Sequence, residues 1–157
     1  MSDDGKEEVP YSLAVEGGDA RDNSKDFTGK GTATYPNSET YEGEFKDGKR
    51  EGKGKYTYKN GDVYEGEWQG DKRHGIGKST YGDNKGTYYG YWQDGNRHGE
   101  GVFTYPNQDL YSGLWKDGFK EGEGTFIFFE TGMKMFGTWK SGNFVEGKWI
   151  LPNGTHF

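Results

Sequence analysis

The stretch from Tyr41 to Trp68 reads YEGEFKDGKREGKGKYTYKNGDVYEGEW, and it closes on almost the letters that open it. Aligning the glycine of each such opening gives Gly43, Gly66, Gly90, Gly113 and Gly137, at intervals of 23, 24, 23 and 24 residues. The later glycine of each GxG gives a second ladder, Gly31, Gly54, Gly77, Gly101, Gly124 and Gly147, in step with the first. Two ladders in step make the chain a repeat array. The extra residue of each longer interval lies in YGDNKGTYY or FFETGMKM, as an enlarged turn would place it.

Within each unit the apolar residues alternate. Tyr41, Gly43 and Phe45 share one parity, as do Tyr64, Gly66 and Trp68, and Gly54, Tyr56 and Tyr58 in the second element. A period of two means β-strands. Between them stand DG at Asp47, Asp94 and Asp117, SG at Ser141, NG at Asn60 and Asn153, and PN at Pro36 and Pro106, all turn formers. The expected fold is all-β: a single-layer, elongated antiparallel meander of successive β-hairpins. It has about eleven strands from Gly31 to Leu151 and is about 50 Å long. No convincing helical period occurs.

Composition fits a sheet without a second layer. Leu, Ile, Val and Phe number 22 of 157 residues, which by itself points to disorder, yet 27 residues are Phe, Trp or Tyr and 29 are glycine. The rings must supply the burial that aliphatics usually supply, each covering roughly 150–250 Å². Net charge is −6, and residues 1–26 hold eight acids against three bases, so this segment reads as an acidic tail, mostly extended or disordered, ahead of the array at 27–157. An acidic balance without a basic cluster speaks against nucleic acid. No cysteine is present, which excludes disulfides and thiolate metal sites. The start MSDDGKEEVP lacks the pattern of a signal peptide, and no apolar run approaches the roughly 18 residues of a membrane span, so an intracellular protein is expected.

The stretches YEGEFKDGKREGKGKYTYKNG, YEGEWQGDKRHGIGKSTY, YYGYWQDGNRHGEGVFTYPN and YSGLWKDGFKEGEGTF resemble the MORN repeat, as a leading half copy at 27–40 and copies starting near 41, 64, 88, 111 and 135. The fifth copy departs from the pattern, with MFGTW at its opening and Val145 where a glycine is expected. ETGMKMFGTWKSG and the KRHG turns are most similar to radial spoke head MORN proteins and small axonemal MORN proteins of cilia and flagella. The resemblance implies a structural subunit of a cytoskeletal, axonemal complex. A full spoke head protein would carry a long acidic C-terminal tail, so a smaller axonemal component fits as well.

Neither catalysis, nor a metal site, nor a cofactor is expected. His74 and His98 occupy equivalent turns two strands apart, about 9–10 Å, too far to share a zinc ion at roughly 2.0–2.1 Å from each nitrogen. The GxG elements precede strands and lack the helix N-terminus of phosphate loops. No Ser, His and Asp converge.

Three surfaces remain as candidates. The ring face, Tyr41, Phe45, Tyr64, Trp68, Tyr88, Trp92, Tyr111, Trp115 and Trp139, is expected to pack the sheet and to keep leftover aromatic surface for a partner. The opposite face is polar at first, with Glu42, Glu44, Lys55, Thr57, Glu65, Glu67, Lys78 and Thr80, and turns apolar from Tyr89 onward, with Tyr91, Val102, Leu114, Ile127, Phe136 and Ile150. That patch, roughly 500 Å², calls for a protein cover, another MORN protein or a second copy of this chain. A standard interface buries about 800 Å² per partner, so a further contact is expected from the unpaired edge of the last strand or from VPYSLAV, where Val9, Tyr11, Leu13 and Val15 alternate. The third surface is a basic edge, Arg50, Arg73, Arg97 and Lys120, which supports the alternative of a phosphoinositide- or membrane-surface adaptor. Its turns sum to only about +2, below the four to eight clustered bases of lipid-binding patches.

Overall fold

A computed structural model of the chain describes residues 9–157, and they form one open antiparallel sheet in strict meander order. Its strands are β1 (Ser12–Val15), β2 (Gly29–Thr34), β3 (Thr40–Lys46), β4 (Lys49–Thr57), β5 (Val63–Gln69), β6 (Lys72–Thr80), β7 (Thr87–Gln93), β8 (Asn96–Thr104), β9 (Leu110–Lys116), β10 (Phe119–Ile127), β11 (Lys134–Lys140) and β12 (Asn143–Ile150). The alternation read in the sequence thus appears as one continuous meander, each strand paired with the next.

The two glycine ladders merge into a single row. Gly31, Gly43, Gly54, Gly66, Gly77, Gly90, Gly101, Gly113, Gly124, Gly137 and Gly147 stand opposite one another from β2 to β12. A ring needs that row. Tyr41 lies flat across Gly54, so a Cβ there would run into its ring and hydroxyl, and Tyr64, Tyr88 and Tyr111 cover Gly77, Gly101 and Gly124 in the same way.

Each hairpin tip is a two-residue turn with both residues at positive φ, as at Asp47–Gly48 (49° and 82°) and Asp94–Gly95 (49° and 85°). That geometry matches the twist of the strands and explains the DG and SG pairs. One link between hairpins is lengthened at Asp83 and Asn84, both left-handed, which is where the sequence interval grows to 24.

The sequence leaves one device unread. Between Gly43 and Phe45 on β3, the single residue Glu44 faces three residues of β4, Glu51, Gly52 and Lys53. The same break follows Gly66, Gly90 and Gly113, and Gly52, Gly75, Gly99 and Gly122 sit in it at φ of 60–93°. A β-branched residue resists that φ, and in the fifth copy Val145 stands there instead. The break on β12 accordingly shrinks to a single-residue shift between Thr138 and Trp139.

The array has twelve strands, because the segment read as an acidic tail supplies β1. Ser12–Val15 pairs with β2, Leu13 is fully buried beside Ala33, and the outer edge of β1 is met by Arg21. Tyr11 donates its hydroxyl to Ser24 Oγ, Ser24 donates to the carbonyl of Gly48 (2.7 Å), and Phe27 packs on Phe45 (5.6 Å). These bonds cap the first repeat. At the other end, the outer edge of β12 is partly paired, since Trp149 and Phe157 exchange backbone hydrogen bonds (3.1 and 3.2 Å).

Candidate functional site

The ring face is a continuous aromatic stack. Tyr41, Tyr64, Tyr88 and Tyr111 are fully buried, and Phe45, Trp68, Trp92, Trp115 and Trp139 are at most 5% exposed. Each tyrosine meets the tryptophan or phenylalanine of its own strand and the tryptophan of the next copy edge-to-face: Tyr64 lies 5.2 Å from Trp68 and 5.2 Å from Trp92, and Tyr88 lies 5.1 Å from Trp92 and 5.2 Å from Trp115. Such a pair contributes about 0.5–1.5 kcal/mol beyond burial, and every pair between copies couples two repeats.

The polar ends of these rings are satisfied by backbone. Each buried tyrosine donates to the carbonyl three residues on, Tyr41 to Glu44 (2.8 Å) and Tyr88 to Tyr91 (2.8 Å). The indoles of Trp68, Trp92, Trp115 and Trp139 donate to Gly54, Gly77, Gly101 and Gly124 at 3.0–3.1 Å. These nine rings keep at most 5% of their surface exposed, so they do not themselves supply the leftover aromatic surface that the sequence suggests for a partner. The reason is the glycine row: rings that lie flat over glycine sink among their neighbours and do not stand up from the sheet.

Burial also shifts their acidity. It pushes the hydroxyls of Tyr35 and Tyr111 up to about 12, and those of Tyr41, Tyr56, Tyr64 and Tyr88 higher still. An unfolded tyrosine ionises near pH 10, so stability is complete below that pH and is lost as pH rises through about 10 to 12, where the unfolded state sheds protons first. The expected result of an alkaline titration is one cooperative step above about pH 11, in which tyrosinate absorbance appears as near-ultraviolet dichroism vanishes. Gradual ionisation near pH 10 with the dichroism retained would contradict the stack.

The basic edge folds over the same rings. The Arg50, Arg73 and Arg97 guanidinium groups lie 4.6–4.8 Å from the centroids of Trp68, Trp92 and Trp115, and Lys120 Nζ lies 4.8 Å from Trp139. Arg73 and Arg97 also donate to the carbonyls of Gly95 (2.6 Å) and Gly118 (2.7 Å), tying each hairpin tip to the next, and Arg50 pairs with Asp71 (3.2 Å). The four cations are lids on the stack rather than an open electropositive rim.

The opposite face is an open groove along the sheet. Over β1–β6 its walls are charged, with Glu16, Lys30, Glu42, Glu44, Lys53, Lys55, Glu65 and Glu67 around about 1200 Å³. Acids and bases stand opposite each other there, Glu42 across from Lys55 and Lys53 across from Glu67. Over β6–β11 a second length of groove, about 550 Å³, is lined by Ile76, Tyr89, Tyr91, Val102, Leu114 and Phe136, with Glu100 and Glu123 as its only charges. Tyr89, Tyr91 and Leu114 are 58%, 48% and 40% exposed, whereas Val102 and Phe136 are half-buried. Ile127 and Ile150 lie outside this groove.

Two things here escape the sequence reading. Ile76, 40% exposed, extends the apolar surface one strand earlier; it shares its parity with Lys78 and Thr80, and as the one apolar residue on that face of β6 it stands apart from the run that begins at Tyr89. The other is what Tyr91 and Leu114 replace. At the same repeat position, Glu44 accepts the amide of Lys53 (2.7 Å) and Glu67 accepts that of Ile76, closing the irregular step of β4 and β6. The corresponding amides of Glu100 and Glu123 have no side-chain acceptor among the described residues. Two local stabilising bonds are given up where two apolar side chains are exposed.

The family model for the MORN repeat matches residues 41–63, 64–85, 88–110 and 111–130, more than half of the chain. The chain belongs to the MORN-repeat family. The fifth MORN-like unit lies beyond the matched residues, consistent with its missing tyrosine at Met135 and its Val145, although β11 and β12 continue the ladder. No curated protein matches the chain. Among solved structures, this MORN sheet is similar to the TCP domain of SAS-4 (dCPAP) of Drosophila melanogaster, solved in complex with a proline-rich motif of Ana2 (dSTIL): 18% identity, TM-score 0.58, covering 99% of this chain and 82% of that one. A second structure of the Drosophila Sas-4 TCP10c domain aligns with TM-score 0.42 and 16% identity over 82% of this chain and 90% of that one.

Proposed function

We propose that this MORN-repeat chain is a non-catalytic scaffold subunit of a ciliary or flagellar axonemal complex such as the radial spoke, and that it binds a protein partner along the groove of β6–β11. MORN repeats suggest a protein-interaction or membrane-binding module. The observation that favours protein is the change within the groove, where the Glu44 and Glu67 positions become Tyr91 and Leu114 and both are exposed. Departures from local consistency in a repeat mark its working part. The membrane alternative loses its chief support because Arg50, Arg73, Arg97 and Lys120 are engaged over rings.

The axonemal assignment is supported by the ETGMKMFGTWKSG and KRHG resemblance. A single-sheet fold like that of the Drosophila SAS-4 domain, solved with a motif from another protein, is compatible with peptide binding. The test is to express tagged protein in ciliated cells, strip membranes with detergent and extract the axonemes with salt. Retention through detergent and release in one multi-subunit complex is the expected result. Release with the detergent-soluble membranes, together with sedimentation on phosphoinositide liposomes at physiological salt, would replace the proposal with the lipid-adaptor reading.

A further inference from the structure

Across the back face one row of residues runs along the sheet beside the glycine row: Glu100 stands opposite Leu114, Leu114 faces the irregular step of β10 that contains Glu123, and Glu123, Thr138 and Glu146 follow opposite one another on β10 to β12. Glu100, Glu123 and Glu146 are exposed, and the residues opposite them are Leu114 and Thr138, not lysines. Earlier in the same row Glu67 stands opposite Lys53. The sheet therefore repeats an unopposed carboxylate every second strand, about 9.6 Å apart; Glu100 and Glu123 line the apolar groove, and Glu146 stands just beyond its end on β12.

That spacing selects the form of what would lie along it. A β-strand returns a side chain to the same side every 6.6 Å or so, and twice that is about 13 Å, so neither matches. An α-helix returns one after seven residues, about 10.5 Å, and over the two steps from Glu100 to Glu146 it drifts about 2 Å out of register. A polyproline-II helix has three residues per turn at 3.1 Å each, about 9.3 Å, and stays within about 1 Å over both steps. Its carbonyls also make no internal bonds and are free to accept, while the Glu100 and Glu123 amides lack the side-chain acceptor that Lys53 and Ile76 have.

Resting on the proposal that this groove is a protein-binding surface, we infer that it takes a polyproline-II segment of a partner, crossing the strands, with Lys or Arg at every third position. The basic residues meet Glu100, Glu123 and Glu146. The residues between them pack on Tyr89, Tyr91 and Leu114, and the backbone carbonyls take up the two bulge amides. Tyrosine faces are suited to proline rings as well as to cations. The same charges make the binding weaken with salt.

The probe is a fluorescein-labelled dodecapeptide of four Pro-Pro-Lys units, measured by anisotropy against the whole protein. Its control has the same composition with the four lysines in one central block. The spaced peptide is expected to bind at least fivefold more tightly than the block. Glu100→Lys and Glu123→Lys should each weaken it at least fivefold, and Glu123→Gln, a milder change checked for an unaltered melting temperature, should weaken it measurably. Equal affinity for the two peptides, or binding indifferent to these variants, overturns the inference. So does self-association in sedimentation that Leu114→Glu abolishes, which would put a second copy of the chain in the groove. If the spaced peptide does not bind yet Leu114→Glu still removes the protein from its axonemal complex, the docking surface stands and only its polyproline-II occupant is rejected.

Discussion

Trp92→Ala is expected to lower folding stability by about 3–5 kcal/mol, the cost of deleting a buried large ring in a site that cannot collapse. Trp92 meets Tyr64 on one side and Tyr88 on the other, donates to the carbonyl of Gly77 (3.0 Å) and carries the Arg73 guanidinium over its face (4.6 Å). Its loss breaks the stack at mid-array. Because coupling passes only between neighbours in such an array, the melting temperature should fall by about 10 °C and the transition should broaden as the two halves lose cooperativity. Partner binding should weaken along with folding, since the adjacent Tyr91 is held by the same strand. Differential scanning calorimetry with a binding assay on the same sample measures both. A variant as stable as the wild type would show that the rings do not hold the sheet.

Leu114→Glu is expected to do the reverse, leaving the fold intact and disrupting assembly. A glutamate here supplies the acceptor that Glu44 and Glu67 supply to Lys53 and Ile76, a gain of about 1 kcal/mol. It would also face Glu100 directly, and like charges in that position cost a similar amount, so the single variant should melt close to the wild type. Adding Glu100→Lys rebuilds the Lys53 and Glu67 pairing of the earlier repeat, and the double variant should be at least as stable as the wild type. Both should lose the partner, because a charge in the centre of an apolar contact is left without solvent or counter-ion. Normal assembly by the stable double variant would refute the back-face proposal.

Much of the fold is legible in the sequence because strand alternation and glycine spacing are local. Tyr41, Gly43 and Phe45 show their shared face within five residues, and Asp47–Gly48 announces its turn. Less legible is anything that depends on how deeply a ring sinks. Nothing short of three dimensions shows that Tyr41 lies across Gly54 and becomes fully buried, or that Arg50 closes over Trp68. The irregular step at Gly52, Gly75, Gly99 and Gly122 has no local signature beyond a glycine, and that Glu100, Glu123 and Glu146 form one column on β8, β10 and β12 follows only from the pairing across the intervening strands. Leu13 is ambiguous for another reason: a short alternating run beside acids fits an adding strand as well as a solvated tail, and only the pairing with Ala33 and Arg21 decides it.

The division of labour between the two faces can be tested in place by photo-crosslinking. p-Benzoylphenylalanine would be introduced singly at Tyr91 and Leu114 in the groove and at Tyr58 and Tyr81 on the ring side, in protein assembled in its native complex. Adducts to a partner from the two groove positions and none from the ring-side pair are the expected result. Adducts arising only from Tyr58 and Tyr81 would contradict it.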